Sequence, residues 1–174
     1  MQKFRFNLVD RIMGWVAFAI AATVYCLTAE PTASLWDCSE FIISAYKLEI
    51  GHPPGAPFFM LTANLFSQFA SDPSQVAYMV NIVSALLSAG CIMLLFWTVS
   101  HLMRRLLCGY GEVERMQDLL LIEGSALVGA LACMFSDSFW YSAVEAEVYA
   151  YSSFLTALVF WLMLKWDEEA DAPS

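Results

Sequence analysis

The polar residues of this chain are concentrated in the segment WDCSEFIISAYKLEIGHPPGAPFF, residues 36–59, while the sequence around it is mostly apolar. Asp37 and Glu40 are three positions apart, so a helix would place both on one face. His52 follows, directly before a Pro-Pro-Gly sequence. Carboxylates and imidazoles transfer protons in enzyme active sites. Two acids near a helix N-terminus also stabilise that helix by a few tenths to about 1 kcal/mol, so a structural interpretation stays open.

The local sequence predicts two helices joined by a stiff corner. SLWDCSEFIISAYKL has a helical pattern, with Ser34 as N-cap and Asp37 at the third helical position. Residues 51–57 contain three prolines and two glycines, which restrict the backbone to a defined bend. Pro57 is suited to the first turn of the next helix. His52 would lie at this corner, either as a hydrogen-bonded structural residue or as part of a site.

A second group of acids lies in residues 136–148, SDSFWYSAVEAEV. Glu145 and Glu147 are two positions apart, so a helix would point them to different faces. Glu145 would then lie near Tyr149, and Glu147 near Tyr151. The aromatic residues are typical of an interfacial belt beside solvated acids. An acid held near membrane depth would instead indicate a functional site.

The composition is that of an integral membrane protein. Of the 174 residues, 60% are hydrophobic and 14% are charged, whereas soluble domains have about 45–50% apolar and about 25% charged residues. Four apolar runs have the roughly 17–25 residues that a helix needs to cross the hydrocarbon core. They lie at about 12–29, 76–100, 119–135 and 149–166. We predict an all-α polytopic membrane protein, a single module over residues 1–174 with four transmembrane helices and additional helices in its loops.

The basic residues predict which side each loop faces. A shorter apolar run at 56–70 is predicted to be a buried, re-entrant or interfacial helix rather than a span. The polar segments 30–75 and 136–148 then lie on the same side, where the only basic residue is Lys47. The basic residues on the other side are Lys3, Arg5, Arg11, Arg104, Arg105, Arg115 and Lys165. By the positive-inside rule both termini are cytoplasmic and both polar segments are extracytoplasmic loops.

Several classes of protein are disfavoured by the charge pattern. The formal charge of −9 does not suggest a nucleic-acid partner, which calls for a basic face. The chain has no Cys-x-x-Cys sequence, and His52 and His101 are far apart, which argues against structural zinc. A transporter is a weaker interpretation, because no ionisable residue lies in the middle of a predicted span, apart from Glu123 near the inner end of the third.

Three motifs in order resemble a known family. WDCSEFI, GHPPGAPFF and FWYSAVEAEVYA are similar to the N-terminal motifs of a family of large bacterial membrane proteins grouped with the GT-C glycosyltransferases. The animal relatives of that family are protein O-mannosyltransferases. GT-C enzymes of this branch have an Asp-Glu element after the first span and a His-Pro-Pro sequence in a later loop. Here Cys-Ser separates the two acids, and the arginine that many relatives carry in the second loop is absent.

The resemblance implies a glycosyltransferase that moves a sugar from a polyprenyl-phosphate carrier to a protein Ser or Thr hydroxyl, or to another hydroxyl acceptor. It implies that Asp37 is the catalytic base and that Glu40 orients the acceptor or tunes Asp37. His52 would bind the carrier phosphate or position its loop, and two glutamates and a tyrosine of the second loop would line the acceptor side. The substrate-binding set is thus His52, Glu145, Glu147 and Tyr149.

The same resemblance sets expectations for cofactors, partners and location. The donor is a lipid-linked sugar and no cofactor is certain, although a divalent cation fits the acidic set. Expected partners are membrane lipid, an acceptor protein and further membrane subunits, and the expected location is the bacterial plasma (inner) membrane. Relatives have many more spans, so we expect this chain to be part of a longer protein. The alternative is a non-catalytic subunit or scaffold of a larger envelope complex, in which the acidic loops are structural.

Overall fold

The computed structural model describes residues 6–53, 55–109 and 111–170. Throughout these residues the structure is all-α and contains no strand, which confirms the predicted fold class. Its helices in chain order are α1 (Phe6–Thr28), α2 (Cys38–Lys47), α3 (Pro57–Ser67), α4 (Val76–Cys108), α5 (Met116–Met134), α6 (Asp137–Val144) and α7 (Val148–Ala170). A short 3₁₀ turn, Pro73–Gln75, leads directly into α4.

Four of these helices, α1, α4, α5 and α7, are long and apolar enough to cross a membrane. They contain the four apolar runs of the sequence, so the chain is an integral membrane protein with four candidate spans. Helix α3 has 11 residues, which is short of the roughly 20 needed to cross the hydrocarbon core. The apolar run at 56–70 therefore forms a short helix and not a fifth span.

Helix α4 is the centre of the bundle, because α1, α3, α5, α6 and α7 all pack against it. Small buried residues such as Ala85 and Ala89 line its contacts with α1 and α5. Small side chains let helix backbones approach closely, which is how helices associate where lipid removes the hydrophobic driving force. Tyr25 of α1 reaches across this core, and its hydroxyl donates a hydrogen bond to the Met134 carbonyl oxygen at 2.8 Å.

The N-terminal end of α4 carries a second apolar core, formed with α2 and α3. Cys38 and Ala45 of α2, Ala63 of α3 and Val80 of α4 are fully buried in it. Phe59 of α3 is also in this core and lies edge-on to the ring of Phe41. This packing sets the position of α2 and of the corner that follows it, and thereby of the polar side chains between them.

The start of α2 differs from the prediction. The helix begins at Cys38, and Trp36 has a left-handed backbone with φ of 62°. A right-handed helix cannot pass through that conformation, so Ser34 does not cap α2 and Asp37 precedes the first helical turn. Asp37 occupies the N-cap position without a side-chain capping hydrogen bond. The Asp37 carboxylate therefore does not bond the backbone N–H groups of α2 as a helix cap.

The contact between α1 and α4 gives a stability prediction. A Cβ atom added at Gly14 would overlap the indole ring of Trp97, whereas a Cβ at Gly124 of α5 meets nothing within 4 Å. Overpacking of this kind costs about 1–3 kcal/mol, while replacing an exposed helical glycine with alanine adds up to about 1 kcal/mol. We expect Gly14→Ala to lower the melting temperature in detergent and Gly124→Ala to keep or raise it. Equal melting temperatures for the two variants would contradict this packing.

Candidate active site on the two polar loops

Glu40 and His52 make the closest polar contact of the first loop. One carboxylate oxygen of Glu40 accepts the backbone N–H of His52 at 2.6 Å, and the other lies 3.1 Å from His52 Nδ1. A carboxylate oxygen can only accept, so the hydrogen in the second contact belongs to Nδ1. The imidazole therefore presents its Nε2 away from Glu40. These two hydrogen bonds attach the corner that follows α2 to the first turn of α2.

The Asp37 carboxylate lies on the other side of the imidazole. Its Oδ2 is 4.0 Å from His52 Nε2, and its side chain is 59% exposed. That distance is too long for a direct hydrogen bond. Within the described part of the chain no hydrogen bond to this carboxylate is present. Asp37 is therefore accessible and has the capacity to accept a proton from an incoming hydroxyl group.

The corner itself explains why its small residues are needed. A Cβ at Gly51 would lie 3.2 Å from a carboxylate oxygen of Glu40, so a side chain there would press on the contact with His52. Gly55 has φ of 69° and donates its N–H to the His52 carbonyl oxygen at 2.8 Å, which closes a turn. Pro54 lies outside the described residues. Pro57 begins α3 as predicted.

The acids of the second loop lie between helices and not on one. Glu145 has an extended backbone (φ −133°, ψ 161°) that ends α6, and Glu147 directly precedes α7. The prediction that a helix would pair them with tyrosines is therefore wrong, because α7 begins only at Val148. The Ser34 hydroxyl donates a hydrogen bond to the Glu145 carboxylate. Tyr149 lies on the first turn of α7 and is 63% exposed, without a hydrogen bond to the cluster in the described residues.

Electrostatic effects connect the two loops. Burial raises the pKa of Glu147 above its ordinary value, and the neighbouring carboxylates of Glu145 and Asp37 raise it further. The pKa of Glu40 is lowered, chiefly by the hydrogen bond from the His52 backbone and then by the one from its ring. Glu147 is thus close enough to interact with Asp37. The structure brings Asp37, Glu40, His52 and Glu147 into one region, with Glu145 beside it.

The residues that join the two loops were not predicted. The Asn81 side-chain amide, near the N-terminal end of α4, donates hydrogen bonds to the Glu30 carbonyl oxygen at 2.6 Å and the Thr32 carbonyl oxygen at 3.1 Å. The Glu30 N–H in turn donates to the Val144 carbonyl oxygen at 2.9 Å. The signal was a single amide inside an apolar run, because a buried polar side chain needs partners. Nothing in the sequence says which carbonyl groups those partners are.

The first-loop cluster also has the donor set of a cation site. Single ligand atoms of Asp37, Glu40 and His52 all lie within 4.8 Å of one another. Two carboxylates and one imidazole suit a divalent transition metal such as Mn²⁺ or Zn²⁺. Partial exposure of all three side chains leaves room for water as further ligands. These residues therefore fit the divalent cation that the sequence left open.

Residues 37–174 match the family model of the protein O-mannosyl-transferase TMEM260 N-terminal domain. The chain belongs to this family. The match includes all six residues predicted for the site, and it confirms the resemblance to protein O-mannosyltransferases. The GT-C assignment and the bacterial origin stay predictions.

Two curated relatives are eukaryotic. The chain is 31% identical to protein O-mannosyl-transferase TMEM260 of Mus musculus over 158 residues. The aligned region covers 89% of this chain and 20% of the relative. It is 23% identical over 146 residues to protein O-mannosyl-transferase tmem260 of Dictyostelium discoideum, covering 83% of this chain and 16% of the relative. The chain thus spans a fifth or less of the length of these relatives. No solved structure matches it.

The Glu40 contact gives a prediction that depends on pH. Because hydrogen bonds from His52 lower the pKa of Glu40 below its ordinary value of 4.5, ionised Glu40 stabilises the corner fully above pH 4.5. That stabilisation is lost as the pH falls through the lowered pKa. We expect amide hydrogen exchange at residues 49–52, corrected for intrinsic rates, to accelerate below pH 4.5. In Glu40→Gln the exchange should be faster at neutral pH and lack this acid transition.

A matched control is Asp137→Asn, which changes an exposed acid at the start of α6. Its exchange profile at the corner should equal that of the unmodified protein. An acid transition that persists unchanged in Glu40→Gln would show that another group anchors His52.

Proposed function

We propose that this chain forms the part of a membrane glycosyltransferase that activates a protein hydroxyl acceptor. The observation that carries the proposal is the accessible Asp37 carboxylate, which lies beside the Glu40–His52 pair without a hydrogen bond of its own in the described residues. The names of the relatives support transfer of a mannosyl group to protein. The residues themselves support proton removal from a hydroxyl.

In the proposed reaction Asp37 takes the proton of a Ser or Thr hydroxyl. The hydroxyl oxygen attacks the anomeric carbon of the sugar, the bond from that carbon to the carrier phosphate oxygen breaks, and the electron pair leaves with the polyprenyl phosphate. A hydroxyl is a weak nucleophile, so a positioned base accelerates this step by about 10²–10⁴-fold. Glu40 serves as a positioning residue, since it fixes His52 next to Asp37.

The other predicted site residues have supporting places in this proposal. His52, when protonated on both ring nitrogens, can donate from Nε2 to an oxygen of the carrier phosphate. Burial and the neighbouring acids raise the pKa of Glu147, so it holds a proton more readily than an ordinary glutamate and, when protonated, can donate a hydrogen bond to an acceptor or sugar oxygen. Glu145 is tied to Ser34 and would shape the acceptor side together with the exposed ring of Tyr149.

A lipid-linked donor is supported by the surface beside the corner. A cavity of about 480 Å³ is lined mainly by apolar residues on both sides of the corner, among them Leu48, Ile50, Met60 and Leu61. Ile50 is almost fully exposed. An amphipathic donor needs an apolar surface for its chain next to polar groups for its phosphate, and these two features are adjacent here. We propose polyprenyl-phosphate sugar as the donor on this basis.

The proposed side of the membrane follows from the basic residues. With the cluster on the extracytoplasmic face, the described basic residues other than Lys47 lie at the opposite end of the spans or beyond it, as the positive-inside rule expects. We therefore propose that both termini are cytoplasmic and that the acceptor is modified outside the cytoplasm, at a plasma (inner) membrane. Further membrane subunits stay part of the proposal, because α7 packs along one side only and its apolar side chains are largely exposed.

Asp37→Asn in the full-length protein tests the base. Asparagine keeps the shape of aspartate but cannot take a proton, so we expect transfer to an acceptor peptide to fall by about 100-fold or more. The melting temperature should change little, because the Asp37 side chain is exposed. Asp137→Asn removes an exposed acid of the second outer loop and should leave transfer unchanged. Full transfer by Asp37→Asn and by Glu40→Ala would favour the alternative of a non-catalytic subunit.

A cation requirement can be tested on the same cluster. We expect a cation bound there to be held by Asp37, Glu40 and His52, where it would supply positive charge next to the leaving phosphate. Transfer should then fall after chelation and recover with Mn²⁺ in the unmodified protein but not in His52→Ala. Transfer that chelation leaves unchanged would remove the cation from the proposal without affecting the assignment of Asp37.

A further inference from the structure

A cavity of about 390 Å³ lies at the opposite end of the bundle from the Asp37–Glu40–His52 cluster. Its lining comes from the first half of α1 and the last turns of α4 and α7. Both α1 and α7 pack against α4, and the cavity occupies the angle between them. We propose that this cavity binds the phosphate ester of an anionic phospholipid headgroup. The assignment does not depend on the proposed transferase reaction.

The charges of the lining favour an anion. Its cationic residues are Arg11, Arg104 and Lys165, and its anionic residues are Asp10 and Glu168. Three positive and two negative groups leave a net charge of +1, because 3 − 2 = 1. A singly charged phosphodiester would neutralise that excess.

The two carboxylates already have partners from the protein. Glu168 pairs with Arg104 and with Lys165, and Asp10 accepts a hydrogen bond from the Ser100 hydroxyl. Arg11, by contrast, is exposed and has no ion pair within the described residues. Its guanidinium group presents several donors in a planar fork, which matches the geometry of a phosphate. Arg11 is therefore the cation of the lining that is most available to a ligand.

A second observation points to a ligand in the same cavity. His101 lines it and is only 6% exposed. Its Nδ1 lies 3.7 Å from a Glu168 carboxylate oxygen, while its Nε2 has no hydrogen-bond partner in the described part of the chain. A buried polar atom without a partner is unfavourable in a native structure. Because Nδ1 is too far from Glu168 for a hydrogen bond, the ring hydrogen can reside on Nε2, and a phosphate oxygen reaching this side of the cavity would then accept it.

The aromatic residues distinguish a lipid from a free phosphate. Trp15, Trp97 and Trp161 also line the cavity, and the rings of Trp97 and Trp161 have centroids 5.5 Å apart. Tryptophan is enriched where membrane meets water, since one part of the ring is apolar and the N–H is polar. A free phosphate would use only the charged side chains. A phospholipid would use both sets, with its phosphate on the cations and its glycerol and acyl portion on the indoles.

Isothermal titration calorimetry of the full-length protein in a neutral detergent tests the proposal. The probes are short-chain phosphatidylglycerol, short-chain phosphatidylcholine and glycerol phosphate. We expect saturable binding of phosphatidylglycerol, with each of the other two weaker by about fivefold or more. Arg11→Gln should weaken phosphatidylglycerol binding about fivefold, as expected for one cation near a membrane surface. Because Arg11 is exposed, this variant is expected to fold.

The matched control is Arg115→Gln, which removes an exposed arginine that pairs with Asp118 and does not line the cavity. It should bind phosphatidylglycerol as the unmodified protein does. Raising the salt concentration should weaken this binding and leave the weaker phosphatidylcholine binding unchanged. Equal affinity for the two lipids, equal affinity for glycerol phosphate, or equal effects of the two arginine variants would each overturn the proposal.

Discussion

Two hydrogen bonds from the Asn81 side chain attach the first polar loop of this protein to its central helix. Asn81 is fully buried in α4, where an amide without partners would cost about 1–3 kcal/mol for each lost hydrogen bond. It therefore takes the carbonyl groups of Glu30 and Thr32 as acceptors. Because the Glu30 N–H donates a hydrogen bond to the Val144 carbonyl oxygen, the start of the first loop and the end of α6 in the second loop depend on the same point of α4. Every side chain of the candidate site lies downstream of these contacts.

Apolar packing and hydrogen bonds position the site at different scales. The buried faces of α2 and α3 place the first loop on the N-terminal end of α4. Apolar contacts nevertheless tolerate small shifts in the polar side chains that the loop carries. The bonds from His52 to Glu40 then set the distance between α2 and the corner directly. Gly51 permits this approach, since any larger residue would crowd the Glu40 carboxylate. A proton-transfer site needs both kinds of contact, because a base can act only when it lies within hydrogen-bond reach of the proton that it removes.

The sequence was sufficient for the spans and for the grouping of the first-loop acids with His52. Length and hydropathy decide the spans, and the stiff corner returns His52 to the start of the preceding helix. It was not sufficient for the true start of α2, because the left-handed backbone of Trp36 has no local signal in its residue type. The bond from Ser34 to Glu145 joins residues 111 positions apart. Helical periodicity cannot predict such a contact. The same periodicity predicted a helix at Glu145 and Glu147, whereas α7 begins only at Val148.

The carboxylates of the candidate site differ in their capacity for proton transfer because their surroundings differ. Glu40 is committed as an acceptor for His52, which lowers its pKa, whereas burial and neighbouring acids raise the pKa of Glu147. Glu145 accepts a hydrogen bond from Ser34, whereas the carboxylates of Asp37 and Glu147 accept none in the described structure. Groups of one chemical type whose environments diverge in this way can take different roles in proton transfer. The arrangement therefore favours the exposed Asp37 as the acceptor of a substrate proton and Glu40 as the anchor of the corner.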